Sequence, residues 1–435
     1  MRIAFHTLGC KVNQYETQAM EEILQSRGHT LAPFEGEADA YIVNSCTVTA
    51  VGDKKSRQAV RQARRRAPNA LVALCGCYPQ VSPEEAGRLD CDLIGGSGDR
   101  LGFLNALEQV AESRQRTVTL DNAFQRREFE VLPAGGLAGR TRAMLKVEDG
   151  CTNFCTYCII PYARGPIRSL PLERAAAEAR RLAAEGYREL VLTGIELSSY
   201  GRDLPGTPSP ADLIETVCKA APGLRVRLGS LEPRTVTEDF CERLRRLPNL
   251  CPHFHLSMQS GCDGVLARMK RKYDTARYCE SVSLLRKYFD NPGITTDMIV
   301  GFPGETAGEF EASLAFIQTC GFSQMHIFPY SRRQGTPAAK MPGQVSNAEK
   351  AERGRRAAEV ANAMGKRWLT QWIGKTVPVL LEEEKDGFWR GYTPQYMEVR
   401  VKADGNLHNE LRQVRITAIG DNGAYGSIRE REDTP

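Results

Sequence analysis

Up to about residue 328, short apolar runs alternate with longer segments whose apolar residues recur at helical spacing. That alternation restricts most of the chain to α/β architecture on a largely parallel sheet. In the first stretch the strand candidates are 3–7, 40–44, 71–74 and a shorter 93–94, with helices near 14–26, 56–66 and 101–112. Residues 1–112 therefore read as a small α/β domain with a parallel sheet. Residues 113–140, polar and Gly-containing, read as a linker with one strand signal at 118–120.

The pattern resumes with strand candidates 143–147, 189–193, 225–228, 253–257, 294–300 and 324–328, and helices such as 172–185 and 310–320. Six strands with helices between them predict a complete or partial (βα)6 barrel of the TIM type over 141–365. A charged helix near 347–373 ends at Gly374. Over 366–433, short strands at 376–381, 387–393, 397–401 and 413–418 are broken by Asp-Gly and Asn-Gly pairs, which predicts a small all-β barrel.

With 41% hydrophobic and 26% charged residues, the composition is that of a soluble globular chain. No run approaches the roughly 20 apolar residues of a membrane helix, and MRIAFHTLGC is not a secretory signal. A cytoplasmic location with no membrane partner is expected. The 14 cysteines then point to metal ligation or burial rather than disulfides.

The sharpest cysteine signal is GCTNFCTYC, where Cys151, Cys155 and Cys158 follow the first strand of the second unit. Three thiolates on one loop can hold three irons of a [4Fe-4S] cluster and leave the fourth iron open to a substrate. A zinc site would want a fourth ligand, and none lies nearby in sequence. In the first unit, Cys10, Cys46 and the pair Cys75 and Cys77 each follow a strand, at the edge where open parallel sheets place ligands. Their spacing predicts a second metal centre or buried thiols, and does not choose between Cys75 and Cys77.

The CxxxCxxC set resembles the motif of radical S-adenosylmethionine enzymes. TLGCKVNQYET at 7–17, NSCTV at 44–48 and GCYPQ at 76–80 are similar to the three cysteine motifs of the methylthiotransferase family. The resemblance extends through LTGIELSSYGRDL, HLSMQSGCDGVLARMKRKY, TDMIVGFPGETAGEF and FPYSRRQGTPAA, nearly the whole chain. It departs at Glu196-Leu197-Ser198, where the family commonly reads His-Ile-Gly, and at Ser257-Met258, which stand where it reads Pro-Leu. It implies two [4Fe-4S] clusters, on Cys10, Cys46 and Cys77 and on Cys151, Cys155 and Cys158, with S-adenosylmethionine as cofactor. KVNQYET resembles the branch that converts N6-threonylcarbamoyladenosine at position 37 of tRNA into its 2-methylthio derivative. Isopentenyladenosine-37 tRNA, a ribosomal-protein aspartate and a nonenzymatic iron-sulfur RNA-binding role are the alternatives.

Candidate cofactor contacts sit near strand ends. Glu232 could accept from ribose hydroxyls, Ser257 and Gln259 offer neutral hydrogen bonds, and Arg271 could fork onto the cofactor carboxylate. Asp297 is an acid in an apolar strand, and Tyr157 with Phe154 could cover the first cluster. For RNA, KKSRQAVRQARRR at 54–66 puts seven basic side chains on one helix, and MKRKY and SRRQ add more. The last unit resembles a TRAM domain, with Phe388, Trp389, Tyr392 and Tyr396 as base-stacking candidates beside Arg390 and Arg400, at least half of the aromatics being core. The expected partners are a tRNA anticodon stem-loop, an external electron donor and a sulfur source. A monomer suffices.

Overall fold

The computed structural model describes residues 1–133, 141–421 and 423–429. Residues 134–140 of the expected linker and the chain end beyond 429 lie outside them. The chain folds as a small N-terminal α/β domain, a central α/β domain and a small C-terminal β-barrel.

The N-terminal sheet is six-stranded and parallel, in the order Thr30–Ala32, Arg2–Thr7, Ala40–Ser45, Leu71–Gly76, Leu93–Gly95, Thr117–Thr119. The strands Ala40–Ser45 and Leu71–Gly76 are buried at every residue, because helices cover both faces. Met20 and Leu24 of Lys11–Ser26 pack on one face with Phe103 and Leu107 of Arg100–Ser113, while Ala59, Val60 and Ala63 of Ala50–Arg66 cover the other. The signal at 118–120 is the sixth strand of this sheet, shifted by one residue, and not an isolated linker strand. Thr30–Ala32 was not foreseen.

The six expected central strands all form, within one residue at each end. They do not make one continuous sheet. Arg142–Lys146, Glu189–Thr193 and Arg225–Leu228 form one parallel sheet, and Ser230–Leu231, His253–Leu256, Gly293–Val300 and Gln324–Pro329 form another. A single bridge, Val226 to Leu250, touches the seam between them. A large apolar cluster lies under both sheets and takes in Tyr15 and Ala19 from the N-terminal helix, so the first two domains share a core.

The helix Asn347–Thr370 runs along the last central strand and brings Trp368 and Trp372 to the C-terminal barrel. That barrel is closed, in the order Thr376–Lys385, Phe388–Tyr392, Glu398–Val401, Ala424–Ile428, Glu410–Ile419. Asp386 and Gly387, both with positive φ, make the two-residue hairpin turn that a twisted antiparallel pair requires. No helix among the described residues is long and apolar enough to cross a membrane.

Candidate metal centres and cofactor cleft

The strands that precede Cys10, Cys46 and Cys77 are neighbours in the N-terminal sheet and end at the same edge, which brings three distant loops together. Gly9 and Gly76 keep them close. Both have positive φ, and a Cβ on Gly9 would lie 2.8 Å from Cys46 Cβ, one on Gly76 2.5 Å from the Ser45 carbonyl. Asn13 ties the edge by donating to the carbonyls of Leu8 (2.7 Å) and Ser45 (2.9 Å). The three thiols feel one another's charge. Burial pushes the Cys46 thiol up to about 12 and raises Cys10 as well. Cys75 is fully buried inside Leu71–Gly76 in the apolar cluster with Ile42 and Phe103.

Cys151, Cys155 and Cys158 lie on a loop that is pinned at several points. Cys151 N–H donates to Gly165 O (3.1 Å), Thr156 N–H to Met269 O (3.1 Å) and Cys158 N–H to Cys155 O (2.9 Å). Asn153 N–H points at Cys151 Sγ (3.5 Å), and Arg271 Nη1 lies 3.3 Å from Cys155 Sγ. Every cysteine of both sets is free.

One helix links the two sets. Ile160–Arg164 begins two residues after Cys158 and packs against Cys77–Val81. Its last residue, the fully buried Arg164, donates to Asn13 Oδ1 (2.7 Å) and Glu16 Oε2 (3.1 Å) and lies 3.4 Å from Asp149 Oδ2. Arg100, Lys146 and Arg168 are buried in the same cluster, so four cations share two carboxylates, Glu16 and Asp149. Burial alone would raise the Glu16 carboxyl, but Arg100, Arg164 and Lys146 hold it well below the usual carboxylate range. Burial pushes the nearby Glu148 carboxyl the other way, well above its ordinary value. Arg100 Nε and Arg164 Nε are buried without a hydrogen-bond partner among the described residues. An all-thiol donor set beside a surplus of buried positive charge suits anionic iron-sulfur clusters.

Around Cys155 the structure gathers Tyr157, Ser257, Arg271 and Glu232. Arg271 Nε donates to Tyr273 OH (2.9 Å) and its guanidinium stacks 4.8 Å over that ring, while Tyr273 OH donates to the carbonyls of Ser257 and Met258. Burial raises the Tyr157 hydroxyl well above its ordinary value, and Arg271 opposes this. Glu232 is buried, takes a hydrogen bond from Arg234, and feels Glu196 across the cleft. Glu196, at the departure from the family pattern, accepts from Asn153 Nδ2 in the cysteine loop (3.2 Å), and burial followed by Glu232 raises its carboxyl. Sequence reasoning missed Glu196, Tyr273 and Arg164, whose roles come from partners distant in sequence. Gln259 sits at φ 67° and bonds through its backbone to Asp297 O and Ile299 N–H. Asp297 stands apart from this group, accepting from His255 Nε2 (3.1 Å) and His326 Nδ1 (3.2 Å).

Several RNA-facing expectations are corrected. Arg333 of SRRQ is buried and bonded to Asp53 and Thr47, a tie between domains. On the basic helix, Arg57, Arg64 and Arg66 are engaged by neighbours, leaving Lys54, Lys55, Arg61 and Arg65 exposed. Trp389 is core, and Tyr392 and Tyr396 stack on each other (4.8 Å) beneath Arg142 and Arg227 of the central domain. Phe124, Phe154 and Tyr162 (45, 42 and 39% exposed) are exposed instead, packed edge to face beside the Cys151–Cys158 loop.

Residues 145–317 match the model of the radical SAM superfamily, and residues 2–95 match that of the uncharacterized protein family UPF0004. The threonylcarbamoyladenosine tRNA methylthiotransferase MtaB of Bacillus subtilis (strain 168) is 38% identical over 99% of this chain and 98% of its own length. This chain belongs to the radical S-adenosylmethionine tRNA methylthiotransferase family. The MtaB of Thermotoga maritima is 39% identical, covering 97% of this chain and 95% of its own. A tRNA-2-methylthio-N(6)-dimethylallyladenosine synthase of Symbiobacterium thermophilum is 33% identical over 99% and 94%. Among solved structures, the radical S-adenosylmethionine methyltransferase TsrM of Kitasatospora setae shares the fold, with a TM-score of 0.54 at 15% identity over 75% of this chain and 73% of that one. The family's members differ in the nucleoside they modify, so the acceptor is settled by substrate chemistry.

Proposed function

We propose that this chain converts N6-threonylcarbamoyladenosine at position 37 of tRNA into 2-methylthio-N6-threonylcarbamoyladenosine. The observation that supports the reading is two sets of three free cysteines linked through the helix Ile160–Arg164, in a chain akin over nearly its full length to enzymes named for that nucleoside. Cys151, Cys155 and Cys158 hold one [4Fe-4S] cluster, and Cys10, Cys46 and Cys77 the other. With S-adenosylmethionine, these groups supply radical chemistry able to break the inert C2–H bond of adenine, together with sulfur for insertion.

The protein's own residues prepare that step. Arg271 sets a positive charge at Cys155 Sγ and is held by Tyr273. Glu232 and Glu196 present acceptors for ribose hydroxyls, Ser257 and Gln259 neutral contacts, and Tyr157 keeps water from the cysteine loop. Asp297, its carboxylate held by His255 and His326, supports Gln259 only through its backbone carbonyl. Lys54, Lys55, Arg61 and Arg65 hold phosphates of the anticodon stem-loop, whose unpaired base leaves its stack at low cost. The domains are a cluster-binding unit that runs through its sixth strand at Thr117–Thr119, a partial (βα)6 barrel over 141–365 and a TRAM barrel over 366–433.

The test is anaerobic reconstitution followed by turnover with an external electron donor and a sulfur source. Two clusters predict about eight irons per chain. Methylthio product is expected on tRNA bearing the threonylcarbamoyl group and not on tRNA lacking it. Four irons, or equal turnover on both, overturns the reading.

A further inference from the structure

Three of the chain's six histidines gather on one face of one sheet. The strands His253–Leu256, Gly293–Val300 and Gln324–Pro329 lie side by side, and Phe254, Leu256, Met298 and Ile327 turn into the large apolar cluster. The strand period of two then sends His253, His255, Asp297 and His326 to the opposite face. Asp297 pairs in register with His326, and His255 pairs with Thr295, two residues before Asp297 on the same face.

That placement brings two imidazoles to one carboxylate. His255 Nε2 lies 3.1 Å from Asp297 Oδ2 and His326 Nδ1 lies 3.2 Å from Asp297 Oδ1, and one donor atom from each of the three residues lies within 4.8 Å of the others. Donors at about 2.0–2.2 Å from a tetrahedral ion stand about 3.3 Å from one another, so the spacing matches the edge of a coordination sphere. The other nitrogen of His255 is fixed from behind, because Thr295 Oγ1 lies 2.9 Å from its Nδ1 and 3.2 Å from Nε2 of the buried His253. A ring whose outer nitrogen is held by an oxygen is the arrangement of a metal-ligating histidine. His326 points the same way. Its side chain is 52% exposed, and an imidazole that wet gains little by pairing with a carboxylate alone. The same exposure gives a cation its entry path.

We propose that His255, Asp297 and His326 form a site for one divalent cation of the zinc class, separate from both cysteine sets. Two imidazoles and a carboxylate suit zinc or another late first-row ion, whereas magnesium and calcium take oxygen donors. Three protein donors leave a fourth position open on the exposed side of His326, where water or an oxygen anion completes the tetrahedron.

The test uses the full-length chain reconstituted with iron and sulfide, so that the thiols are occupied, then equilibrated anaerobically with zinc and freed of excess by gel filtration. Metal analysis finds about one zinc per chain, and X-ray absorption at the zinc edge finds nitrogen and oxygen neighbours at about 2.0–2.2 Å, with none at the sulfur distance of about 2.3 Å. His326→Gln keeps an amide donor for Asp297 and keeps its iron, yet loses the zinc, which separates ligation from a hydrogen-bonding role. Asp297→Asn keeps the shape of the carboxylate and gives the same loss, which guards against a folding defect in the first variant. Thr295→Val leaves all three ligands in place and binds zinc roughly ten- to hundredfold more weakly. Wild type without zinc, a shell dominated by sulfur, or full zinc retention by His326→Gln or Asp297→Asn overturns the site.

Discussion

Glu189 is fully buried and receives Arg225 and Arg227, which also donate to the carbonyls of Tyr392, Thr393 and Pro394. Burial would raise its carboxyl, but Arg227, then Arg225 and Arg142, bring it from 4.5 down to about 2. The folded protein therefore binds this proton more weakly than the unfolded chain, and the stabilisation is complete above pH 4.5 and lost as pH falls through about 2. Glu189→Gln strands a buried arginine and costs about 3–5 kcal/mol at pH 7. In urea denaturation the gap to wild type closes as the buffer is acidified below pH 4.5. At the cysteine edge, Cys75→Ala retains the full iron load, because that thiol lies among Ile42, Leu93 and Phe103, whereas Cys77→Ala halves it. Iron analysis after reconstitution distinguishes the two.

Among the elements, the helix Ala50–Arg66 divides its labour. Its buried side, with Asp53 bonded to Thr47 and Arg333, fixes the first domain to the second, and Lys54, Lys55, Arg61 and Arg65 remain exposed. Reversing those four to Glu weakens stem-loop binding, and the slope of log affinity against log salt becomes shallower by about 3, near 0.7–0.9 per lost phosphate contact. An unchanged slope in a salt titration places the RNA elsewhere. Elements of this kind were legible to different depths. Ala40–Ser45 and Leu71–Gly76 are apolar on both faces and announce themselves, while Thr30–Ala32 and Thr117–Thr119 are three-residue edge strands with half-polar composition. Ala424–Ile428, AYGSI, lacks alternation and is a strand because the barrel must close. The cysteine sets were readable because spacing and strand-end position are local. The partners of Arg164, Glu196 and Tyr273 are not local, so no run of sequence advertises them.

For the whole molecule, the C-terminal barrel is a docked body with its own core. Trp389 bonds Gly405 O inside it, while Tyr392 and Tyr396 face outward onto Arg142, Arg227 and His253. Of the six aromatic and basic residues that read as one RNA surface, Trp389 thus serves internal packing, and Tyr392 and Tyr396 serve domain attachment. Tyr396→Ala weakens the attachment by about 1–3 kcal/mol, the loss of one stacked ring and its cation contacts. Hydrogen exchange then rises at 392–397 and across the central sheet's opening residues, and stays low in the barrel's inner strands. Uniform deprotection of the barrel would mean that it cannot stand without its neighbour.

Arg100, Lys146, Arg164 and Arg168 crowd around Glu16 and Asp149 at the seam of the first two domains. On the function proposed above, loading anionic clusters at the cysteine sets relieves that mutual repulsion, so metallation and tightening of the seam are thermodynamically linked. Loss of iron is then expected to loosen the seam first, read as faster protease cleavage there while both sheets and the shared apolar core remain intact.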